Sequence, residues 1–413
     1  MFINKNKTSD LHGNNFSTAI GVKTNDETNL QKTSLYDLHV AHGGKIVNFS
    51  GYYLPLQYNN TSISSSHLHT RSNCSIFDVS HMLQTNIYGK HAIEYLESLC
   101  VTDIAGMQNN QSALSLFTME TTGGIIDDFI ITKISNERLF LISNASQKII
   151  DKQLLSLQLD KFLNDGKDVK IEFLDSSTQS LIAVQGPKTA NILQPFITVD
   201  LKKLYFMNSA IGSVCGIKNC RITRCGYTGE DGVEISIPSR DVEYVVETLL
   251  RNEFIELAGL GARNTLRLEA GLCLYGDDIN ENTTPVEAGL AWTIGKRRRM
   301  EKNYPGSKII QRQLESKQLN KKRIGIKKIG GPPARTGTAI VGVNDEIIGY
   351  VTSGCPSPSL GLNIAMGYVN PSYAKLQETE IRLNIRENLH EANICKMPFI
   401  QTKVYTNSAS KRK

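Results

Sequence analysis

RCGYTGEDGVEISIP, residues 224–238, decides how the rest of the chain is read. Tyr227 ends one extended run, Gly229 to Gly232 make a tight turn, and VEISI resumes. Val233, Ile235 and Ile237 then share one face of a strand, with Glu234 and Ser236 on the other. Outward from this hairpin the same strand signals recur in KIVNFS (45–50), LQTNIYG (83–89), RLFLIS (138–143), VKIEFL (169–174), SLIAVQG (180–186) and CRITRCG (220–226). Between them, 93–100, 147–165 and 241–252 carry apolar residues at helical spacing. Mixed order with many hairpin signals predicts an α+β fold rather than a doubly wound parallel sheet.

A polar, lysine-rich connector falls at 311–323, and beyond it short strands alternate with Gly, Pro and Ser turns. RIGIKKI (323–329), AIVGV (339–343), EIIGYVT (346–352), NIAMGYV (363–369) and EIRLNI (380–385) predict a separate small β-barrel over 323–405. Residues 406–413 read as a tail. Residues 1–32, rich in Asn, Thr, Ser and Lys but without Arg, read as a leader or a disordered tail. The ordered chain is expected from Thr33, with Ser34 capping a helix that stops at Gly43-Gly44.

At 413 residues, with 40% hydrophobic and 21% charged, the composition is that of a globular protein of two to three domains. No apolar run approaches the ~20 residues of a membrane span. A net charge of +6 with dispersed basic residues leaves no nucleic-acid footprint. The eight cysteines form no CxxC pair, which argues for free thiols. His39, His42, His67, His69 and His81 fit no metal-ligand spacing, so no metal is expected. A GxGxxG fingerprint, a Walker loop and a GxSxG elbow are all missing, which removes most support for hydride transfer, phosphoryl transfer and serine hydrolysis.

Four segments could carry chemistry. GGIIDDFII (123–131) sets Asp127 and Asp128 on opposite faces of an intensely apolar strand, Asp128 with Ile126 and Ile130. Burying such a carboxylate costs several kcal/mol or more, roughly, unless it is paired or meets a ligand. In the opening hairpin, Glu234 is either a solvated strand residue or an acid lining a cleft beside Tyr227. In the 257–279 segment, helix-like through about Leu272, Arg263 and Arg267 lie on one helical face. There they suit an anion or form surface ion pairs with Glu269 or Asp277. GLAWTIGKRRR (289–299) holds the sole tryptophan, Trp292, as a stacking platform or a core residue. Its basic run, Lys296 to Arg299, reads as a solvated patch or a docking site for an acidic partner.

Taken together, these segments resemble the glycine cleavage T-protein family of aminomethyltransferases. The matching blocks are TSLYDLHVAHGGK (33–45), HLHTRSNCSIFDVSHMLQT (67–85), SLFTMETTGGIIDDFI (115–130), VQGP (184–187), RCGYTGEDGVEIS, LRLEAGLCLYG (266–276), TTPVEAGLAWTIGKRRR (283–299), VTSGCPSPSL (351–360) and KMPF (396–399), in order. The resemblance implies a three-domain cloverleaf of mainly antiparallel sheets with flanking helices around a folate cavity. Two of its domains interleave over 33–310. It implies transfer of the one-carbon unit of an S-aminomethyl-dihydrolipoyl H-protein to tetrahydrofolate, with ammonia released, inside the mitochondrion. Carried over by position, Asp128 is the catalytic carboxylate. Tyr227, Glu234, Arg263, Asn144 and Trp292 are folate- or substrate-site residues. The family's two adjacent C-terminal tyrosines are Val404 and Tyr405 here, so Tyr405 is the expected substitute. Asn264 and Tyr52 also depart from the frequent Asp and Trp. Two other readings within the superfamily, an iron–sulfur accessory protein and a folate module fused to a flavin dehydrogenase, lack their own signatures in this chain.

Overall fold

A computed structural model describes residues 30–375 and 380–407. The leader assigned to 1–32 and the tail assigned to 406–413 lie mostly outside these residues. Where the described chain begins, Gln31 and Lys32 already pair in parallel with Tyr52 and Tyr53. Order therefore starts slightly before Thr33. The first helix is Tyr36–Ala41, with Leu35 at its N-cap and no side-chain cap. Ser34 is thus not the cap. The expected glycine stop is present: Gly43 takes φ 72° and its N–H reaches the Val40 carbonyl at 2.9 Å.

Two antiparallel-rich sheets interleave along the chain. A six-stranded sheet runs Ser209–Val214, Ile217–Thr223, Gly232–Pro238, Gln179–Gln185, Cys74–Asp78, Ile255–Leu257. A five-stranded antiparallel sheet runs Gln111–Thr118, Ile125–Ser135, Arg138–Ser143, Leu83–Tyr88, Lys170–Leu174. The second is inserted between Cys74–Asp78 and Gln179–Gln185 of the first. A small three-stranded sheet, Gln31–Lys32, Tyr52–Tyr58 and Gly44–Phe49, precedes both. The barrel closes through Lys322–Lys328, which pairs with both Leu362–Val369 and Asn388–Cys395. That last strand carries no sequence signal of its own among the five expected, because Leu389, Ala392 and Ile394 are diluted by Asn, His and Glu.

Separate apolar clusters fill these units. Val233, Ile235 and Ile237 pack with Val242, Val245 and Val246 of the helix Ser239–Leu250. Phe129 stacks on Phe117 at a centroid distance of 4.1 Å beneath the five-stranded sheet. Ile324, Ile340, Val351, Ile381 and Ile394 fill the barrel.

One helix, Leu260–Glu269, ties the units together. Gly259 at its N-cap lies so close to the strand Tyr52–Tyr58 that a Cβ would sit 2.4 Å from the Leu56 carbonyl oxygen. Its C-terminal half is bolted to the barrel. The Arg267 guanidinium donates to Asp278 at 2.6 Å and to the Ser353 hydroxyl at 2.8 Å, while the Ser353 and Thr352 hydroxyls also donate to Asp278. Glu269 accepts from His67, Arg71, Ser357 and Ser359. Arg267 therefore forms a buried ion pair with Asp278, and the expected surface pairing with Glu269 or Asp277 does not occur.

The basic run is likewise drawn inward. Arg298 is 1% exposed and donates to the carboxylate and carbonyl of Glu97 and to the Cys100 carbonyl. Arg297 reaches Glu97, Asp103 and Glu301, and Arg299 donates to the Ala291 and Ile294 carbonyls. The five-donor guanidinium fork satisfies buried carbonyls that a solvated patch would leave to water. Trp292, 64% exposed, is not a core residue.

Candidate active site

The strand Ile125–Ser135 departs from strict alternation where it matters. Phe117 pairs with Asp127 and Thr118 with Ile125, so Ile126 is the extra residue of a bulge. Bulges re-aim side chains, and beyond this one the two adjacent carboxylates part company. Asp127 is fully buried, while Asp128 is half-buried.

Asn144, at the end of the neighbouring strand Arg138–Ser143, holds both. Its side-chain amide donates to Asp127 Oδ1 at 2.9 Å and Asp128 Oδ1 at 3.0 Å, and its backbone N–H donates to Asp127 Oδ2 at 3.1 Å. Behind them stands Asp151, from the first turn of the helix Lys148–Asn164, with no exposure. Burial pushes the Asp128 carboxyl up to about 6, and the Asn144 hydrogen bond only partly offsets it. Burial also raises Asp127 well above the carboxylate range, reinforced by the neighbouring Asp151 and Asp128 charges.

Across from Asp128 lies the loop that follows Ile217–Thr223. That strand stops before Tyr227, so the turn is wider than the hairpin pattern predicts. Tyr227 is half-buried; its hydroxyl donates to the Cys273 carbonyl, and its ring lies 4.7 Å from the Arg263 guanidinium. Burial disfavours a Tyr227 phenolate, and the Asp128 charge adds to this against the pull of Arg267 and Arg263.

Glu234, by its sequence position either a solvated strand residue or an acid lining a cleft, is 7% exposed and so is not solvated. Its strand is interior to the sheet, hydrogen-bonded on both edges to Gln179–Gln185 and Ile217–Thr223, and the groups facing the Glu234 side chain are Arg263 and the Cys225 thiol. Burial raises the Glu234 carboxyl, against the opposing pull of Arg263 and a hydrogen bond with the Cys225 thiol. Arg263 is depressed by burial and supported by Glu234, and its Nη1 is buried without a partner. A buried guanidinium nitrogen with nothing to donate to is an anion site waiting for an acceptor.

The structure thus brings Asp128, Asn144, Tyr227, Glu234 and Arg263 into one half-buried cluster. It does not bring Tyr405 there. The Tyr405 ring stacks on Tyr205 at 5.4 Å and lies 4.3 Å from the Arg224 guanidinium, and its hydroxyl donates to the Lys202 carbonyl at 3.1 Å. Trp292 presents its ring to solvent, outside the hydrogen bonds of the cluster.

Three further groups escaped the motif reading. The Lys148 ammonium donates to the Tyr52 hydroxyl at 2.6 Å. His81, considered in the sequence only as a metal ligand, is buried against Phe49 and Tyr52. Burial drives its pKa to about 3, with Asp78 opposing and Arg263 and Lys148 adding to the fall. Asp151 is the third; nothing but its helical position marked it. Among the described residues, no group of three or more His, Cys, Asp and Glu is placed to hold a metal. A recess of about 570 Å³ lies apart from the cluster, on the barrel, lined by Lys321, Tyr350, Thr352, Tyr368 and Asn370.

An ionised carboxylate, an uncommitted guanidinium and a second buried acid, held a few side chains apart, suit a substrate with cationic, anionic and hydrogen-bonding portions. Comparison with known proteins gives the family. Residues 35–298 match the GCVT N-terminal domain, and residues 321–401 match the glycine cleavage T-protein C-terminal barrel domain. The mitochondrial aminomethyltransferase of Mus musculus is 49% identical over 377 residues, covering 91% of this chain and 92% of the relative. That of Flaveria anomala is 44% identical over 381 residues, 92% of each chain. The crystal structure of glycine cleavage system aminomethyltransferase T from Bartonella henselae superposes with a TM-score of 0.84 at 33% identity, covering 91% of this chain and all of that one. With both domains matched in chain order and the same fold found in a solved relative, the chain belongs to the glycine cleavage T-protein family of aminomethyltransferases.

Proposed function

We propose that the chain transfers the one-carbon unit of an S-aminomethyl-dihydrolipoyl H-protein to tetrahydrofolate, releasing ammonia and yielding 5,10-methylenetetrahydrofolate, in the mitochondrion. The observation that carries this reading is the half-buried Asp128, held by Asn144 opposite Tyr227, Glu234 and Arg263. Loss of ammonia from the aminomethyl thioether develops positive charge on the carbon as folate N5 bonds to it. The thiol then departs as N10 closes the ring. A carboxylate already in place stabilises that charge without reorganising at the moment of reaction. Holding N5 against the carbon converts an encounter of two molecules into an effectively one-molecule step. Glu234 accepts from the amino-pyrimidinone edge of the pterin, and Arg263 offers its free Nη1 to an anionic group, the glutamate tail or the carrier's acidic face.

Incubating the protein with aminomethyl-loaded H-protein, with and without tetrahydrofolate, and following ammonia tests the reading. Folate must raise ammonia release; equal rates would refute it. Glu234→Gln is expected to weaken tetrahydrofolate binding by ~10–100-fold, since a charged acceptor contributes about 1.5–3 kcal/mol. Equilibrium binding measures this directly.

The pH dependence follows from Asp128. Its pKa is raised to about 6, so the carboxylate needed for transfer is present above that value and lost below it. Single-turnover rates should fall as pH drops through about 6, with the loss reversible on return to neutral pH.

A further inference from the structure

Asp151 belongs to no motif and touches no expected ligand, yet it is completely buried behind the two strand carboxylates. Neither of its oxygens receives a hydrogen bond of full geometry. The polar groups against them are the Asp127 carboxyl and the Ser143 side chain. Asp127 is also completely buried, and its oxygens face the two Asn144 donors and Asp151. Among the described residues, none of Asp127, Asp128 and Asp151 makes an ion pair. The other titratable groups facing them are Tyr275, whose hydroxyl donates to the Ile125 carbonyl, and Tyr227 and Cys273 on the Asp128 side. All three are neutral acids with raised pKa values; Arg263 lies beyond Tyr227, and no ion pair reaches the trio to balance a second or third negative charge.

Three carboxylates in such a place cannot all be ionised. We propose that Asp127 and Asp151 form a buried carboxylic-acid pair that takes up protons before Asp128 does, so that the first negative charge of the trio falls on the one carboxylate that faces the substrate and the pair still shares a proton at pH 8. Asp127 and Asp151 are positioning residues in this scheme: they act through Asp128 and Asn144, and no bond to them forms or breaks. The pair explains why adjacent acids occur on this strand at all. A neutral Asp127 lets the single Asn144 amide orient Asp128 without a competing charge beneath it. The directions agree, since burial and the neighbouring carboxylates raise Asp127 well above the carboxylate range, and burial with the Asp128 charge raises Asp151 to about 7. Because the three titrate together, these are steps of the cluster as much as of single residues.

This inference rests on the role proposed for Asp128, and its test separates the two. The carboxylic-acid C=O stretch of the full chain is followed by infrared difference spectroscopy between pH 5 and pH 9, with the pH profile of aminomethyl transfer measured alongside. The wild type should keep one buried acid band at pH 8, lose a second between roughly pH 6 and 8, and show two inflections in its rate profile. Asp151→Asn, neutral and of the same shape, should lose the upper titration and the upper inflection while keeping the lower. Asp128→Asn should lose the lower titration and keep the upper. If Asp151→Asn does not fold, the wild-type and Asp128→Asn spectra decide alone. Absence of any acid band at pH 8 overturns the proposal, as does an upper titration that survives Asp151→Asn. If Asp128→Asn instead transfers normally while the upper titration behaves as stated, the catalytic reading fails and the acid pair stands.

Discussion

Asp128→Asn is expected to fold normally and to lose transfer by a factor of ~10²–10³, with little change in tetrahydrofolate affinity. The amide keeps the shape of the carboxylate and can still meet Asn144, so the strand Ile125–Ser135 and its bulge have no reason to move. What disappears is the charge that stabilises the cationic carbon, an interaction that strengthens as the transition state forms. Removing such an interaction lowers kcat and kcat/KM together. Single-turnover ammonia release checks it: an unchanged rate with folate present would show that the charge is handled elsewhere. A collapse of folate affinity with normal kcat would make Asp128 a binding group only.

The second large effect is on stability. Glu269→Ala should destabilise the protein by about 3–5 kcal/mol, because it removes one of the two buried carboxylates that hold Arg71, leaving Glu230 alone, and strips several buried donors of their acceptor. The carboxylate also accepts from His67 and from Ser357 and Ser359 of the barrel, so the deletion weakens a junction between units as well as a pair. Urea denaturation should show the midpoint fall together with loss of the barrel's docking on the helix Leu260–Glu269. The pH dependence has a definite sign. Burial alone would raise this carboxyl, but the hydrogen bonds from His67 and Ser357, the His67 charge and Ser359 outweigh it and hold the pKa at about 2. A depressed native pKa stabilises the fold above the unfolded value of ~4.3, and that contribution is lost as pH falls towards 2. Wild-type stability should therefore drop across this window, and Glu269→Ala should drop less steeply.

Much of this architecture is written in local pattern. Alternation locates Arg138–Ser143 to the residue and Gly232–Pro238 to within a residue at each end, and helical spacing locates Lys148–Asn164 equally closely. Period alone did not reveal coverage. Glu234 sits at an outward position by alternation yet is buried, because the other units close over that face of the sheet. For the same reason the 296–299 run looks solvated, yet only Lys296 is exposed, while Arg297 pairs with carboxylates and Arg298 and Arg299 donate to the carbonyls of Glu97, Cys100, Ala291 and Ile294. The Asp127–Asp128 pair was legible as an anomaly, since two acids in an apolar strand require an explanation. Asp151 was not, because one acid in the first turn of a helix is ordinary, and only the packing of that turn on the strand gives it meaning. The bulge at Ile126 was equally silent. Nothing in a run of isoleucines distinguishes the residue that steps out of register.

The far end of the chain has a consequence for how the molecule is made. After the barrel, the Lys403 N–H returns to the Gly229 carbonyl and the Phe206 N–H reaches the Tyr405 carbonyl, while the Tyr405 ring covers Arg224. The loop carrying Tyr227 is thus fastened by residues made after the sheets and the barrel. Synthesis proceeds from the N-terminus at ~5–20 residues per second, so every nascent form that has not yet reached Tyr405 lacks this fastening, however well its sheets have already formed. The arrangement proposed around Asp128 is complete only once synthesis has passed that point. A polypeptide appended directly behind Tyr405, or a trim of a few residues before it, would reach the active loop through a latch that lies at the opposite end of the sequence from the strand bearing Asp128.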